Sequence, residues 1–207
     1  MKLVVEKLAA ERGGRAVFAG LTFAVEAGTL VRVSGANGAG KTTLLRILAG
    51  LAAASEGSAI WYRENEEVSA AVAARFVGHA NAFNDALTVR ENLTYAAALA
   101  GHDASPLEIG RALDAFGVKS LLNRRFGTLS QGQRKRCSLA RLLLDSNSGE
   151  RGRRAWLLDE PFVALDVETQ AQLATVISAE LLEDGLVIYT SHQAVEIRAA
   201  NTQEIAL

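Results

Sequence analysis

The stretch Gly35-Ala36-Asn37-Gly38-Ala39-Gly40-Lys41-Thr42-Thr43 decides how this chain is read. It fits G-x-x-x-x-G-K-[ST], follows the apolar run Leu30-Val31-Arg32-Val33 and opens into Leu44-Leu45-Arg46-Ile47-Leu48. Strand, tight turn and helix therefore come in the order a phosphate cradle requires. Glycines lack a Cβ and let the loop turn its backbone N–H groups inward around a polyphosphate. Lys41 is then placed to reach the β- and γ-phosphates, and the Thr42 hydroxyl to ligate Mg²⁺ at the positive end of the following helix. An ordinary glycine-rich turn in front of a helix is the alternative, and the remainder of the chain has to separate the two.

Upstream, residues 3–8 and 21–26 alternate apolar and polar side chains, with Leu21, Phe23 and Val25 on one face, as half-buried strands do. Downstream of a helix over about 41–51, Glu56-Gly57 reads as a turn and Ser58-Ala59-Ile60-Trp61-Tyr62 as a strand. From about residue 66 to 144 the pattern turns mainly helical. Residues 89–100 have helical spacing, and Ser105-Pro106-Leu107-Glu108 is a capping box with proline at the first helical position. A further helix is expected over 133–144, exposing Arg134, Lys135, Arg136 and Arg141. Residues 145–154 read as a solvated loop.

Ala155-Trp156-Leu157-Leu158 and Leu186-Val187-Ile188-Tyr189 are short unbroken apolar runs of the kind buried in parallel sheets, with a helix over 167–182 between them and a last edge strand over 202–207. Such alternation predicts an α/β fold: a parallel or mixed sheet with flanking helices, an antiparallel N-terminal β portion and a helical insert. The expected organisation is one domain over 1–207, with a core of about 1–80 and 145–207 and a helical subdomain of about 81–144.

Other motifs fall at strand and helix ends. Leu157-Leu158-Asp159-Glu160-Pro161 places two carboxylates where open α/β sheets bind ligands. Asp159 is expected to reach Mg²⁺ and Glu160 the attacking water. Thr190-Ser191-His192-Gln193 ends the next buried strand the same way, which makes His192 a candidate for contact with a γ-phosphate. Leu129-Ser130-Gln131-Gly132-Gln133 heads a helix whose first turn offers N–H groups and Ser130 to an anion.

Composition narrows the classes. At 207 residues there is room for one α/β domain, and a net charge of −1 gives no global reason to expect nucleic acid or an anionic membrane as partner. No apolar run approaches the ~20 residues of a membrane-spanning helix. The start, Met1-Lys2-Leu3-Val4-Val5-Glu6-Lys7, does not read as a signal peptide. A single cysteine, Cys137, excludes an internal disulfide and fits a reducing compartment, and the few histidines show no zinc-ligand spacing.

The run 129–133 resembles the LSGGQ signature of the ATP-binding cassette (ABC) family, a subset of P-loop ATPases. The order of phosphate loop, helical insert, signature, Asp159-Glu160, Ala164-Leu165-Asp166 and His192 is similar to that family over nearly the whole chain. Within it, the likeness runs to the ATP-binding subunits of haem exporters in cytochrome c maturation. Val31-Arg32-Val33-Ser34-Gly35-Ala36-Asn37, Val77-Gly78-His79, Ala86-Leu87-Thr88-Val89-Arg90-Glu91-Asn92-Leu93 and Asp159-Glu160-Pro161-Phe162 carry it.

The resemblance implies an ATP hydrolase in which Lys41, Glu160 and His192 act on the phosphates, and a head-to-tail dimer sandwiching two ATP molecules. Ser130, Gly132 and Gln133 of one copy would complete the site made by Gly35–Thr43 of the other, and Asp166 would report between sites. It also implies a membrane permease partner of a haem-handling complex, at the cytoplasmic face of the cell membrane, with no nucleic acid. Three departures stand out. Where an aromatic residue stacks on adenine, this chain has Glu11-Arg12-Gly13-Gly14-Arg15, leaving Arg12 by its guanidinium plane, or Phe18. Where a glutamine links Mg²⁺ to the transporter, it has His79-Ala80-Asn81, leaving Asn81 or His79. The loop at 145–154 is longer than usual. An ABC ATPase of another small exporter, a soluble cassette acting on ribosomes or DNA, and a regulatory nucleotide-binding module are the alternatives.

Overall fold

The N-terminal alternation is realised as a long hairpin: β1 (Lys2–Arg12) pairs antiparallel with β2 (Arg15–Glu26) around Gly13-Gly14. The structure is a computed structural model that describes residues 1–78, 82–101, 103–144, 154–191 and 195–207. After β3 (Thr29–Ser34) and α1 (Lys41–Leu48), β4 (Glu56–Arg63) and β5 (Glu66–Val68) complete a four-stranded antiparallel sheet in the order β2-β1-β4-β5. Glu56-Gly57 is therefore the start of a strand, where a turn was expected. Gly57 has φ 76, and a Cβ there would collide with the carbonyls of Glu6 and Lys7. Its turn-like chemistry serves a bulge, seen as the register shift between Glu6 and Ala9.

The short α2 (Ala70–Ala73) leads into β6 (Ala74–Val77), and with β7 (Ala155–Leu158), β8 (Val187–Thr190) and β9 (Asn201–Ala206) this strand builds a second sheet in the order β6-β7-β8-β3-β9. Every neighbouring pair in it is parallel. All residues of β7 and β8 are buried, as their unbroken apolar runs require. Leu44, Leu45 and Leu48 of α1 pack in one core with Leu3, Val5 and Trp61 of the antiparallel sheet and Val31, Val33, Leu157 and Ile188 of the parallel one. Each such side chain contributes about 1.5–3 kcal/mol by leaving water. Trp61 adds a hydrogen bond from its indole Nε1 to the Leu48 carbonyl (2.8 Å), which satisfies one carbonyl of the last turn of α1. These elements belong to a unit made of Met1–His79, Arg154–Pro161 and Thr175–Leu207.

The second unit, Ala80–Arg153 with Phe162–Ala174, is helical. Its α3 (Val89–Leu99), α4 (Pro106–Asp114) and α5 (Gln131–Leu139) each begin at a reciprocal capping box: Thr88 with Glu91, Ser105 with Glu108, Ser130 with Gln133. Residues 140–144 continue from α5 as a 3₁₀ turn. α6 (Val167–Leu182) is divided between the units after Ala174. Leu93, Leu113, Phe116, Phe126 and Leu139 form part of the buried interior.

Two of the basic residues expected at the surface are buried: Lys135 is 6% and Arg141 8% exposed. Long cationic side chains can cover apolar surface with their stems, and the head of Arg141 meets an aromatic face. The Arg141 guanidinium lies 5.9 Å from the centroid of the Phe83 ring, and Arg134 lies 5.5 Å from that of Phe126. Arg134 also donates to the carbonyls of Leu129 and Gly127 and pairs with Asp85 at 3.4 Å. Among the described residues no helix is long and apolar enough to cross a membrane.

Cys137 is fully buried, and that burial pushes its thiol up to about 12, with Arg136 pulling weakly the other way. At pH 8 the native protein is expected to resist iodoacetamide and to be alkylated only once denaturant opens the helical unit. Mass spectrometry reads the outcome, and stoichiometric labelling of the native chain would contradict it.

Candidate nucleotide-binding site

The phosphate loop is held on two sides. Gly40 has φ 101, and a Cβ added to it would strike Val17 and come within 3.0 Å of the Phe18 ring. Gly35, at φ 141, would bring a Cβ to 2.8 Å from the Leu207 carbonyl oxygen. Only glycine fits such approaches and such backbone angles. α1 starts directly after Gly40, and no side chain caps it. The N–H groups of its first turn, at the positive end of the helix dipole, are thus left for what the loop holds.

Lys41 is 7% exposed, and its ammonium donates to the carbonyls of Gly35 (2.8 Å) and Ala36 (2.9 Å). The cation is folded under the loop, its charge met by backbone dipoles. Asp159 follows β7 and is 4% exposed. The Thr42 hydroxyl lies 3.1 and 2.9 Å from its two carboxylate oxygens, and the Thr190 hydroxyl donates to Oδ1 at 3.0 Å. The Asp159 N–H donates to the Val77 carbonyl at 2.8 Å. Glu160 comes next with a left-handed backbone at φ 48, and its N–H donates to the Thr190 hydroxyl at 2.8 Å. For a residue with a Cβ that conformation costs about 1–3 kcal/mol and persists only where the surroundings enforce it.

Thr42 and Asp159 bring a hydroxyl and a carboxylate to one point at the foot of the loop. Mg²⁺ takes hard oxygen donors, binds one or two protein groups and leaves its other positions to water and phosphate oxygens. The donor set fits that ion.

A cleft of about 230 Å³ opens above this base, lined by Asn37, Gly38, Gly40, Lys41, Thr42 and Thr43 together with Arg12, Val17 and Glu160. Ala39 lies in the same loop, its N–H bonded to the Ala36 carbonyl at 3.2 Å. Among the described residues no aromatic ring lines the cleft. Phe18 is 8% exposed and lies under Gly40, so of the two residues considered for a nucleotide base only Arg12 borders the space. Arg12 reaches it because the hairpin register pairs it with Arg15, and Val17 follows two residues along the same strand face.

The remaining sequence candidates lie in the helical unit. Ser130 is exposed at the N-cap of α5, its hydroxyl accepting the Gln133 N–H and its own N–H donating to Gln133 Oε1. Gly132 stands near Ala164, whose carbonyl would be 3.8 Å from an added Cβ. Asp166 accepts the Thr169 N–H at 2.8 Å. Hydrogen bonds from the Thr169 side chain and backbone hold its carboxyl below the usual range, and the Arg136 charge acts in the same direction. His192, His79-Ala80-Asn81 and residues 145–153 lie outside the described residues. Sequence reasoning passed over the hydroxyl of Thr190. Its one signal was a polar residue closing a buried apolar strand, where a hydroxyl must find partners.

Comparison with known proteins gives the family and the fold. The model of a family described as ABC transporter matches residues 18–163. The cytochrome c biogenesis ATP-binding export protein CcmA of Paraburkholderia xenovorans strain LB400 is 38% identical, the match covering 99% of this chain and 96% of that protein. The protein of the same name in Chelativorans sp. strain BNC1 is also 38% identical, over 100% of this chain and 98% of its own length. Among solved structures, a putative ABC transporter ATP-binding protein from Pyrococcus furiosus superposes with a TM-score of 0.82 at 26% identity, covering 99% of this chain and 97% of that one. A bacterial Atm1-family ABC exporter with ATP bound shares the fold with a TM-score of 0.77 at 22% identity, over 93% of this chain and 34% of that one. A family match that begins before the phosphate loop and runs past the Asp159-Glu160 pair makes this chain a member of the ABC transporter family, an ATP-binding and ATP-hydrolysing subunit of the P-loop ABC fold.

Proposed function

We propose that this subunit drives a membrane permease in haem export for c-type cytochrome maturation. The observation that carries the assignment is the nearly full-length match, at 38% identity, to relatives named as cytochrome c biogenesis ATP-binding export proteins. ABC ATPases dimerise and work with permease partners. This chain pairs with a second cassette, most simply a copy of itself, at the cytoplasmic face of the cell membrane, which it reaches through the permease. On closure, Ser130, Gly132 and Gln133 of one copy meet the phosphates held by the loop of the other, and Asp166 links the two sites. The exposure of Ser130 and Asp166 supports this reading.

Hydrolysis follows from positioning and electrostatics. Lys41 exchanges the carbonyls of Gly35 and Ala36 for β- and γ-phosphate oxygens. Residues 36–43 wrap the polyphosphate with backbone N–H groups and the dipole of α1. Thr42 and Asp159 would hold Mg²⁺, which would supply positive charge to offset that of the phosphates. Glu160 accepts a hydrogen bond from the attacking water, aligns it opposite the departing ADP oxygen and takes up its proton as the new P–O bond forms. The Arg12 guanidinium, which borders the cleft, stacks on the adenine.

Lys41→Ala is expected to cost about 2–5 kcal/mol of ATP binding, which is about thirtyfold or more in Kd, while leaving the melting temperature near wild type. Calorimetric titration measures it, and unchanged affinity would remove Lys41 from phosphate binding. Glu160→Gln should retain ATP affinity, lose about 10²–10⁴-fold in turnover and accumulate an ATP-bound dimer visible by size-exclusion chromatography. Arg12→Ala should weaken ATP about two- to thirtyfold without altering tripolyphosphate binding, and Arg12→Tyr should restore it; an equal loss for tripolyphosphate would assign Arg12 to the phosphates. For the biological role, deletion of this chain from its host is expected to abolish covalent haem staining of c-type cytochromes, with Glu160→Gln failing to complement. Normal haem staining in the deletion strain would overturn haem export.

A further inference from the structure

We infer that Thr190 is a positioning residue for hydrolysis, its single hydroxyl setting the geometry of both Asp159 and Glu160. The inference rests on the reading of those two carboxylates given above. Thr190 is the last residue of β8 and is fully buried, so its hydroxyl has to be bonded within the protein. The hydroxyl proton goes to Asp159 Oδ1 at 3.0 Å, and the oxygen accepts the Glu160 N–H at 2.8 Å.

Each bond does separate work. The first fixes the rotation of the Asp159 carboxylate and occupies one side of Oδ1, which turns Oδ2 toward Thr42, 2.9 Å away. An outer partner of this kind orients a metal-holding carboxylate. The second fixes the peptide plane entering Glu160. That residue holds a left-handed φ of 48, which persists only where the surroundings enforce it. The peptide plane and φ together set the direction in which the Glu160 side chain leaves the backbone, and that direction decides whether its carboxylate can align a water. Valine has the shape of threonine, keeps the β-branch favoured in strands and lacks only the hydroxyl.

The test uses the purified full chain. Thr190→Val is expected to stay folded with a melting temperature a few degrees lower, to keep metal-free ATP affinity, to lose about ten- to a hundredfold in kcat and to need more Mg²⁺ for half-maximal activity. Thr190→Ser should hold kcat near wild type. Hydrogen exchange gives a readout independent of turnover: the Glu160 amide should exchange faster in Thr190→Val and remain protected in Thr190→Ser. Introduced into Glu160→Gln, the valine should cost less than it does in the wild-type background, because the group it positions is already gone. If Thr190→Val fails to fold, Thr190→Ala is held to the same expectations. Wild-type kcat in the hydroxyl-less variant, a protected Glu160 amide or a fully additive loss would each overturn the inference. A wild-type chain that neither binds nor hydrolyses ATP would instead overturn the functional reading on which it rests.

Discussion

A carboxylate removed from water must be surrounded by donors, and Asp159 obtains them from segments far apart in the sequence. Thr42 comes from the first turn of α1 and Thr190 from the end of β8, while the backbone of Asp159 itself is tied to Val77 at the end of β6. These segments meet only if β7 runs between β6 and β8 and if β8 lies beside β3, whose loop delivers α1. The observed strand order satisfies both conditions. Leaving the buried charge unpaired would cost several kcal/mol. Sheet order, loop position and carboxylate thus form one constraint.

Charge compensation elsewhere in the same unit follows a similar logic. Lys41 is buried against two loop carbonyls, and the hydroxyls of Thr42 and Thr190 are already engaged with Asp159. On the reading proposed above, nucleotide would exchange existing bonds for stronger, charge-assisted ones and would not have to order a disordered loop. Preorganisation of this sort lowers the entropic cost of binding and keeps the hydrolytic groups near their working positions. The helical unit uses a different device. Reciprocal capping boxes at α3, α4 and α5 fix helix starts with local bonds alone, which leaves Ser130 at the surface with its backbone already formed.

Much of this was legible because its determinants are local. The phosphate loop is set by glycines and a lysine at fixed spacing, β7 and β8 by unbroken apolar runs, and α4 by Ser105, Pro106 and Glu108. What escaped depends on neighbours distant in sequence. β5 is three residues long and mostly charged, and β6 has four residues with Arg75 among them, so neither shows a period. Gly57 looks like a turn residue until Glu6 and Lys7 press against it from β1. Lys135 and Arg141 read as surface, and the aromatic face that receives Arg141 belongs to Phe83, far from it in the chain. Phe18 could be imagined beside adenine, and only the packing under Gly40 shows it occupied. Thr190 was invisible for the same reason: a hydroxyl has no recognisable role until its two partners are known.

The buried cysteine has a practical consequence for following this molecule in motion. Cys137 is the sole thiol of the chain and is sealed in the helical interior. One cysteine introduced at a surface position would therefore take a spin label or fluorophore alone, with the native residue left in place. In an assembly of two identical copies that yields one label per subunit and a single interprobe distance, so opening and closing could be followed as a change in one spectroscopic quantity.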